Sequence, residues 1–244
     1  MILIWNDLQP MTPAIPQPVA LDVGDHEHVS GLLMMPDGAR ACYVLAHGAG
    51  AGMAHPFMAA AANGLAERGI ATLRYQFPYM ERGSKRPDTP RLAHAAVRGA
   101  VAEAARLLPD LPLVAGGKSF GGRMTSQAQA ASPLAGVRGI AFLGFPLHPA
   151  GKPSDERAEH LSKVRVPMLF LQGTRDNLAD LALLQPLVKR LGARATLKVL
   201  ADADHSFHVP AKTGRKDPEM MGEMLDAFAA WIDRLALPLG SGEK

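Results

Sequence analysis

Leu111-Pro-Leu-Val-Ala-Gly116, Gly117-Lys118-Ser119-Phe120-Gly121 and Gly122-Arg-Met-Thr-Ser-Gln-Ala-Gln-Ala-Ala131 follow one another without a break. The first segment reads as a buried strand and the last, rich in alanine, as a helix. A G-x-S-x-G set between strand and helix is a nucleophile elbow. Its small residues let the chain turn sharply enough to raise a strained serine above the sheet, at the N-terminal end of a helix. Gly-Lys-Ser also ends a phosphate-binding P-loop, but that motif requires a glycine five positions before Gly117, where this chain has Pro112. Leu113, Val114 and Ala115 belong to a strand interior rather than to a loop long enough to wrap phosphates.

Outward from the elbow, strands and helices alternate. Residues 19–23 and 29–35 read as strands joined by a turn around Gly24-Asp25, an antiparallel hairpin. Residues 42–46 form a short buried strand, 56–68 a helix stopped by Gly69, and 70–74 the next strand. Residues 89–108 form a long helix with Leu92, Ala96, Ala100, Ala104 and Leu107 on one face, ended by Pro109. Beyond the elbow, strands are expected at 137–143, 166–172 and 196–200, and helices at 178–191 and 218–235. This pattern predicts an α/β fold: a mostly parallel sheet of about eight strands with helices on both faces. Residues 1–18, with four prolines between positions 9 and 18, are expected to be an extended lead-in. Residues 19–237 are then one domain and 238–244 a tail.

Composition bounds the function. The chain has 244 residues, 48% hydrophobic and 20% charged, the profile of an ordinary globular protein. A formal charge of +3 is too small to predict a nucleic-acid partner. The densest basic run, 82–91, is bordered by Glu81 and contains Asp88, which reads as a solvated loop. The single cysteine, Cys42, precludes an intrachain disulfide and fits a reducing compartment. No basic leader opens the sequence, and no run approaches the ~20 apolar residues that span a bilayer. A cytoplasmic monomer or homodimer with no membrane partner is expected.

In an open α/β sheet, binding groups gather where strands end. After strand 42–46 comes His47-Gly-Ala-Gly-Ala-Gly52, a loop whose backbone N–H groups can point inward. The elbow strand is followed by Ser119, strand 166–172 by Gly173-Thr-Arg-Asp176, and the last strand by Ala201-Asp-Ala-Asp-His205. Serine is a poor nucleophile at neutral pH, so His205 would take its proton and Asp176 would fix the histidine tautomer. The N–H groups of Phe120 and of Ala49 or Gly50 would hold the oxyanion. Several alternatives stay open on residue type alone. Asp176 could cap the following helix, Asp202 or Asp204 could orient the base, and His208 could replace His205. His47 reads as structural. The remaining histidines show no H-E-x-x-H or paired-cysteine spacing, so neither metal nor cofactor is expected.

With these residues in view, the chain resembles the α/β-hydrolases, and more narrowly their dienelactone-hydrolase-like branch. Within that branch it is similar to the hydrolase-like family shared with a chromatin NSL-complex subunit and testis-expressed relatives. The matching blocks are His47-Gly48 with His55-Pro56, Arg74-Tyr-Gln-Phe-Pro-Tyr79, Gly116-Gly-Lys-Ser-Phe-Gly-Gly-Arg123, Phe145-Pro-Leu-His-Pro149 with Gly151-Lys-Pro153, Leu171-Gln-Gly-Thr-Arg-Asp176 and Asp204-His205-Ser-Phe207. The resemblance implies an α/β-hydrolase fold and a serine hydrolase that cleaves a small ester, thioester or lactone through an acyl-enzyme on Ser119. The alternative is a non-catalytic interaction domain of the same fold. Lys118 departs from the commoner elbow. The interval 144–165 is too short for a cap domain, leaving room for about two helical turns around 155–161. A shallow cleft rimmed by Phe120, Tyr79, Pro146, Leu147 and His148 is therefore expected, with Tyr79, Leu147 and His148 touching a small acyl substrate.

Overall fold

A computed structural model describes residues 14–24 and 27–236. Most of the lead-in, Asp25 of the hairpin turn and the tail lie outside the described residues. Eight strands form one sheet: β1 (Gln17–Asp22), β2 (His28–Met34), β3 (Ala41–Ala46), β4 (Ile70–Tyr75), β5 (Leu113–Lys118), β6 (Val137–Leu143), β7 (Met168–Gly173) and β8 (Ala195–Leu200). Their order across the sheet is β1-β2-β4-β3-β5-β6-β7-β8. β2 runs antiparallel to both β1 and β4, and from β4 to β8 every pairing is parallel. Strands β3 and β4 are buried at every position, as parallel strands covered on both faces must be.

Among the described residues six α-helices flank the sheet: α1 (Pro56–Ala66), α2 (Pro78–Glu81), α3 (Pro90–Leu107), α4 (Phe120–Ala131), α5 (Leu181–Leu191) and α6 (Asp217–Ala236). Two apolar layers result. One joins alternate strand residues such as Val44, Leu73, Ala115 and Phe142 to α3, α4 and α5; the other joins Tyr43, Leu45, Val114 and Leu169 to α1 and α6. The alanine face of α3 (Ala93, Ala96, Ala100, Ala104) brings that helix close to the sheet, while Leu92 and Leu107 sit at its margin.

Two elements differ from the sequence reading in ways that position the site. The elbow strand runs to Lys118 rather than ending at Gly116, because Gly116, Gly117 and Lys118 still pair with Ala141, Phe142 and Leu143 of β6. Helix α5 begins at Leu181 rather than near 178. The Asp176 carboxylate accepts from the Leu178 N–H, and the Asp180 side chain caps the helix by accepting from Ala182 N–H at 2.8 Å. Between β6 and β7 the chain forms a single 3-10 helix, Glu156–Lys163, so nothing with its own core stands over the sheet. That leaves the carboxyl ends of β3, β5, β7 and β8 on one open edge.

Candidate active site

Ser119 occupies the N-cap of α4 with φ 50° and ψ −114°, a region that side-chain-bearing residues seldom enter. Such a conformation costs on the order of 1–3 kcal/mol and persists only when its surroundings hold it. Here two glycines do so. A Cβ on Gly117 would lie 2.3 Å from the carbonyl oxygen of Ala46, and one on Gly121 2.6 Å from that of His47. Strand β3 and helix α4 therefore approach too closely for any larger residue. This is the physical content of the G-x-S-x-G pattern.

The turn brings Ser119 Oγ within 2.8 Å of His205 Nε2, and His205 Nδ1 lies 2.7 Å from Asp176 Oδ2. Since a carboxylate only accepts, this network assigns the proton to Nδ1 and leaves the Nε2 lone pair facing the serine hydroxyl. The Asp176 side chain is fully buried and accepts from two further donors, the Gln172 side-chain amide on Oδ2 and the Leu178 N–H on Oδ1 at 2.8 Å. Gln172 is itself fixed, because its carbonyl oxygen accepts from Phe145 N–H at 2.9 Å. Sequence reasoning passed over Gln172, although its place four residues before Asp176 on a buried strand end was a usable signal.

The competing assignments separate cleanly. His208 turns outward to Asp217, 2.9 Å away, with 60% of its side chain exposed. Asp204 closes its own loop by accepting from the N–H groups of Ser206 and His208. Asp202 sits at the loop's entry, where its N–H donates to Thr174 Oγ1.

The loop after β3 lies against the serine: a Cβ on Gly48 would be 3.9 Å from Ser119 Cβ. Its N–H groups are not equivalent. Gly50 N–H donates to the Tyr79 hydroxyl at 3.0 Å, whereas Ala49 N–H makes no hydrogen bond among the described residues. Phe120 N–H, in the first turn of α4, has no intrahelical acceptor. Of the three backbone donors expected from the sequence, Phe120 and Ala49 are thus available and Gly50 is committed. The loop is held from below by the segment that ends β4. Met53 N–H donates to the Gln76 side chain at 2.8 Å, and Arg74 Nη1 donates to Met53 O at 3.2 Å. His47 is fully buried; it accepts from Phe77 N–H through Nε2 and donates to Gly48 O through Nδ1. Burial lowers its pKa to about 4, so it is a neutral clasp.

The expected rim is corrected. Tyr79, Leu147 and His148 are buried, as is Pro146, and none of them forms an exposed edge. Tyr79 supports the Gly50 loop from within, its ring 6.4 Å from that of Phe120. Leu147 joins the core beside α5. His148 accepts from Asp180 N–H through Nε2 and so helps set the start of α5. With no cap to line, Phe145–His148 are buried, and His148 bonds to Leu178 and Asp180 just ahead of α5. Ala49 and Gly50 are the exposed residues at the mouth, and Phe120 is half-buried beside them.

Residues 39–233 match the family model described as alpha/beta hydrolase domain. The chain belongs to that family. Solved structures share the alpha/beta hydrolase fold at low identity. A dienelactone hydrolase from Anabaena variabilis ATCC 29413 superposes with a TM-score of 0.73 at 22% identity, over 91% of this chain and 99% of that one. XC6422 from Xanthomonas campestris, described as an a/b serine hydrolase without lid, gives 0.69 at 21% identity over 91% and 97%. The esterase domain of a Rhodothermus marinus protein gives 0.69 at 15% identity over 90% and 98%. Among the described residues, no helix of this alpha/beta hydrolase is long and apolar enough to cross a membrane.

Proposed function

We propose that this protein is a serine hydrolase that cleaves a small ester, thioester or lactone through an acyl-enzyme on Ser119. One observation carries the reading: the continuous hydrogen-bonded line from Ser119 Oγ through His205 to Asp176. The solved neighbours described as a dienelactone hydrolase and an esterase domain lend support at the level of reaction class.

The chemistry follows from the geometry. Ser119 Oγ attacks the acyl carbon while its proton passes to His205 Nε2, and the carbonyl π pair moves onto oxygen. The N–H groups of Phe120 and Ala49 receive that oxyanion, aided by the positive end of α4. Asp176, already bonded to Nδ1–H, stabilises the imidazolium without taking its proton. When the intermediate collapses, the bond to the leaving group breaks and His205 returns the proton to it. Water then repeats the sequence on the acyl-enzyme, releasing the acid and restoring Ser119.

Labelling with a fluorophosphonate probe, wild type beside Ser119→Ala, tests the assignment. Label and p-nitrophenyl acetate turnover should both vanish in the variant, with kcat falling on the order of 10⁴-fold or more. A tenth of the wild-type rate surviving in Ser119→Ala would sink the reading.

A further inference from the structure

The lysine inside the elbow is the feature that this mechanism leaves unused. Lys118 ends β5, and its Nζ donates to the backbone carbonyl of His205. The same ammonium lies 5.7 Å from the ring centroid of Phe57 and 5.2 Å from that of Phe207. Those two rings stack at 5.8 Å and 13°, so the cation rests against a paired aromatic surface contributed by α1 and by the His205 loop. A Cβ on Gly144 would be 3.1 Å from Lys118 Nζ and 3.5 Å from both His205 Cε1 and Nδ1. The ammonium and the imidazole thus flank one glycine.

The loop that carries His205 needs such a hold. Two of its non-glycine residues, Asp202 at φ 61° and Phe207 at φ 63°, lie in the left-handed region, one on each side of the histidine. Phe207 is both the second strained residue and one face of the surface that receives the ammonium. Lys118 has no carboxylate within ion-pair distance among the described residues, and against two phenylalanine rings an apolar side chain would fit the surroundings better. What an apolar side chain could not supply is the bond to His205 O.

We propose that Lys118 is a positioning residue for the base: its ammonium ties the strained loop at His205 to the same strand end that raises Ser119, fixing the Nε2–Oγ distance. The proposal rests on the serine-hydrolase reading above. It makes a charge, rather than mere bulk, part of the machinery, and that charge is titratable. Burial pulls the lysine down to about 8, against the attraction of the Asp176 and Asp204 carboxylates. These carboxylates, with His205, are the titratable groups facing it. On losing its proton the amine still has N–H groups, but it loses the pull of both carboxylates and of the two rings.

Steady-state kinetics on p-nitrophenyl acetate from about pH 6 to about pH 9.5, for wild type, Lys118→Met and Lys118→Arg, test this. Wild-type kcat should decline above about pH 8. Lys118→Arg, whose cation does not titrate in this range, should lack that decline. Lys118→Met should lose about tenfold or more in kcat with KM within about twofold, since displacing a base by a fraction of an ångström is costly. The proposal fails if wild type shows no alkaline decline, if the decline persists in Lys118→Arg, or if Lys118→Met keeps wild-type kcat. Should Lys118→Met not fold, the wild-type and Lys118→Arg profiles decide. Ser119→Ala run alongside separates the two levels. Turnover surviving there would overturn the serine reading and this inference with it, whereas an inactive Ser119→Ala beside a fully active Lys118→Met would overturn this inference alone.

Discussion

The hydroxyl of Tyr79 accepts the N–H of Gly50 across 3.0 Å, and so withdraws from the mouth of the site one of its three backbone donors. In the proposed mechanism that bond leaves Ala49 as the partner of Phe120 in receiving an oxyanion, with Tyr79 as the prop of the loop that carries it. Tyr79→Phe removes the prop and frees the Gly50 N–H. A neutral hydrogen bond contributes about 1 kcal/mol, so kcat on p-nitrophenyl acetate should fall roughly five- to tenfold with little change in KM. An unchanged or higher kcat would give the oxyanion role to Gly50.

Arg74 poses a separate question of stability against activity. Its side chain is 2% exposed, its Nε has no hydrogen-bond partner, and no carboxylate pairs with it among the described residues. Its contact with Met53 O supports the same loop from the β4 side. An unpaired buried cation destabilises a fold, and replacing one with an apolar side chain is often neutral or stabilising. Arg74→Met should therefore keep or raise Tm while lowering kcat several-fold. A lower Tm with unaltered kcat would make Arg74 a purely structural residue.

The alternation of strands and helices was readable because it rests on local chemistry, and Ser119, Asp176 and His205 stood out as candidates because each follows a strand end; the order of the strands across the sheet was not readable. β-branched and aliphatic runs set the strands, and Gly117 and Gly121 had to be glycine for β3 and α4 to meet. The parts that escaped the sequence depend on where side chains point after packing. Nothing in the letters Phe145-Pro-Leu-His-Pro149 tells whether Leu147 and His148 stand up around a substrate or fold down onto α5. That is settled by contact with Asp180, 32 residues later in the chain. Gln76 was likewise hidden, since its role comes from the Met53 N–H that tertiary structure brings to it.

Asp176→Asn should be more damaging than loss of charge alone suggests. Both Asp176 oxygens accept: Oδ2 from Gln172 and His205, Oδ1 from Leu178 N–H. An asparagine has one acceptor oxygen, so its NH₂ must face a donor on one side. If it faces His205, the ring turns to the tautomer that places a proton between Nε2 and Ser119. The expected loss in kcat is about 10³–10⁴-fold, with fluorophosphonate labelling slowed in proportion. A loss smaller than tenfold would remove Asp176 from the mechanism.

Acid should weaken the fold through His47, which is buried, and His160, which is partly buried. Burial lowers both His47 and His160 from 6.5 to about 4. The unfolded chain therefore binds more protons than the native one between these values. Stability is fully present above about pH 6.5 and is lost as pH falls toward 4. At pH 5 the His47 contribution alone amounts to about 2 kcal/mol, at 1.36 kcal/mol per pKa unit. Urea unfolding at pH 7 and at pH 5 should show a drop of at least that order, and His47→Gln should reduce it. Equal unfolding free energies at the two pH values would contradict the neutral-clasp role of His47.

Substrate size follows from what stands around Ser119. Between β6 and β7 stands a single 3-10 helix, four of the five former rim candidates are buried, and Ala49 and Gly50 face solvent. Phe120, half-buried beside Ser119, offers an apolar edge to an acyl chain. Each methylene contributes about 0.8 kcal/mol only when fully enclosed, and an open mouth encloses few. Across p-nitrophenyl esters from acetate to palmitate, kcat/KM should peak at two to four carbons, roughly, and fall for longer chains. Trimming Phe120 to alanine should flatten that peak by removing an apolar contact. A maximum at long chains would require a deep apolar tunnel and would overturn the reading of an open mouth.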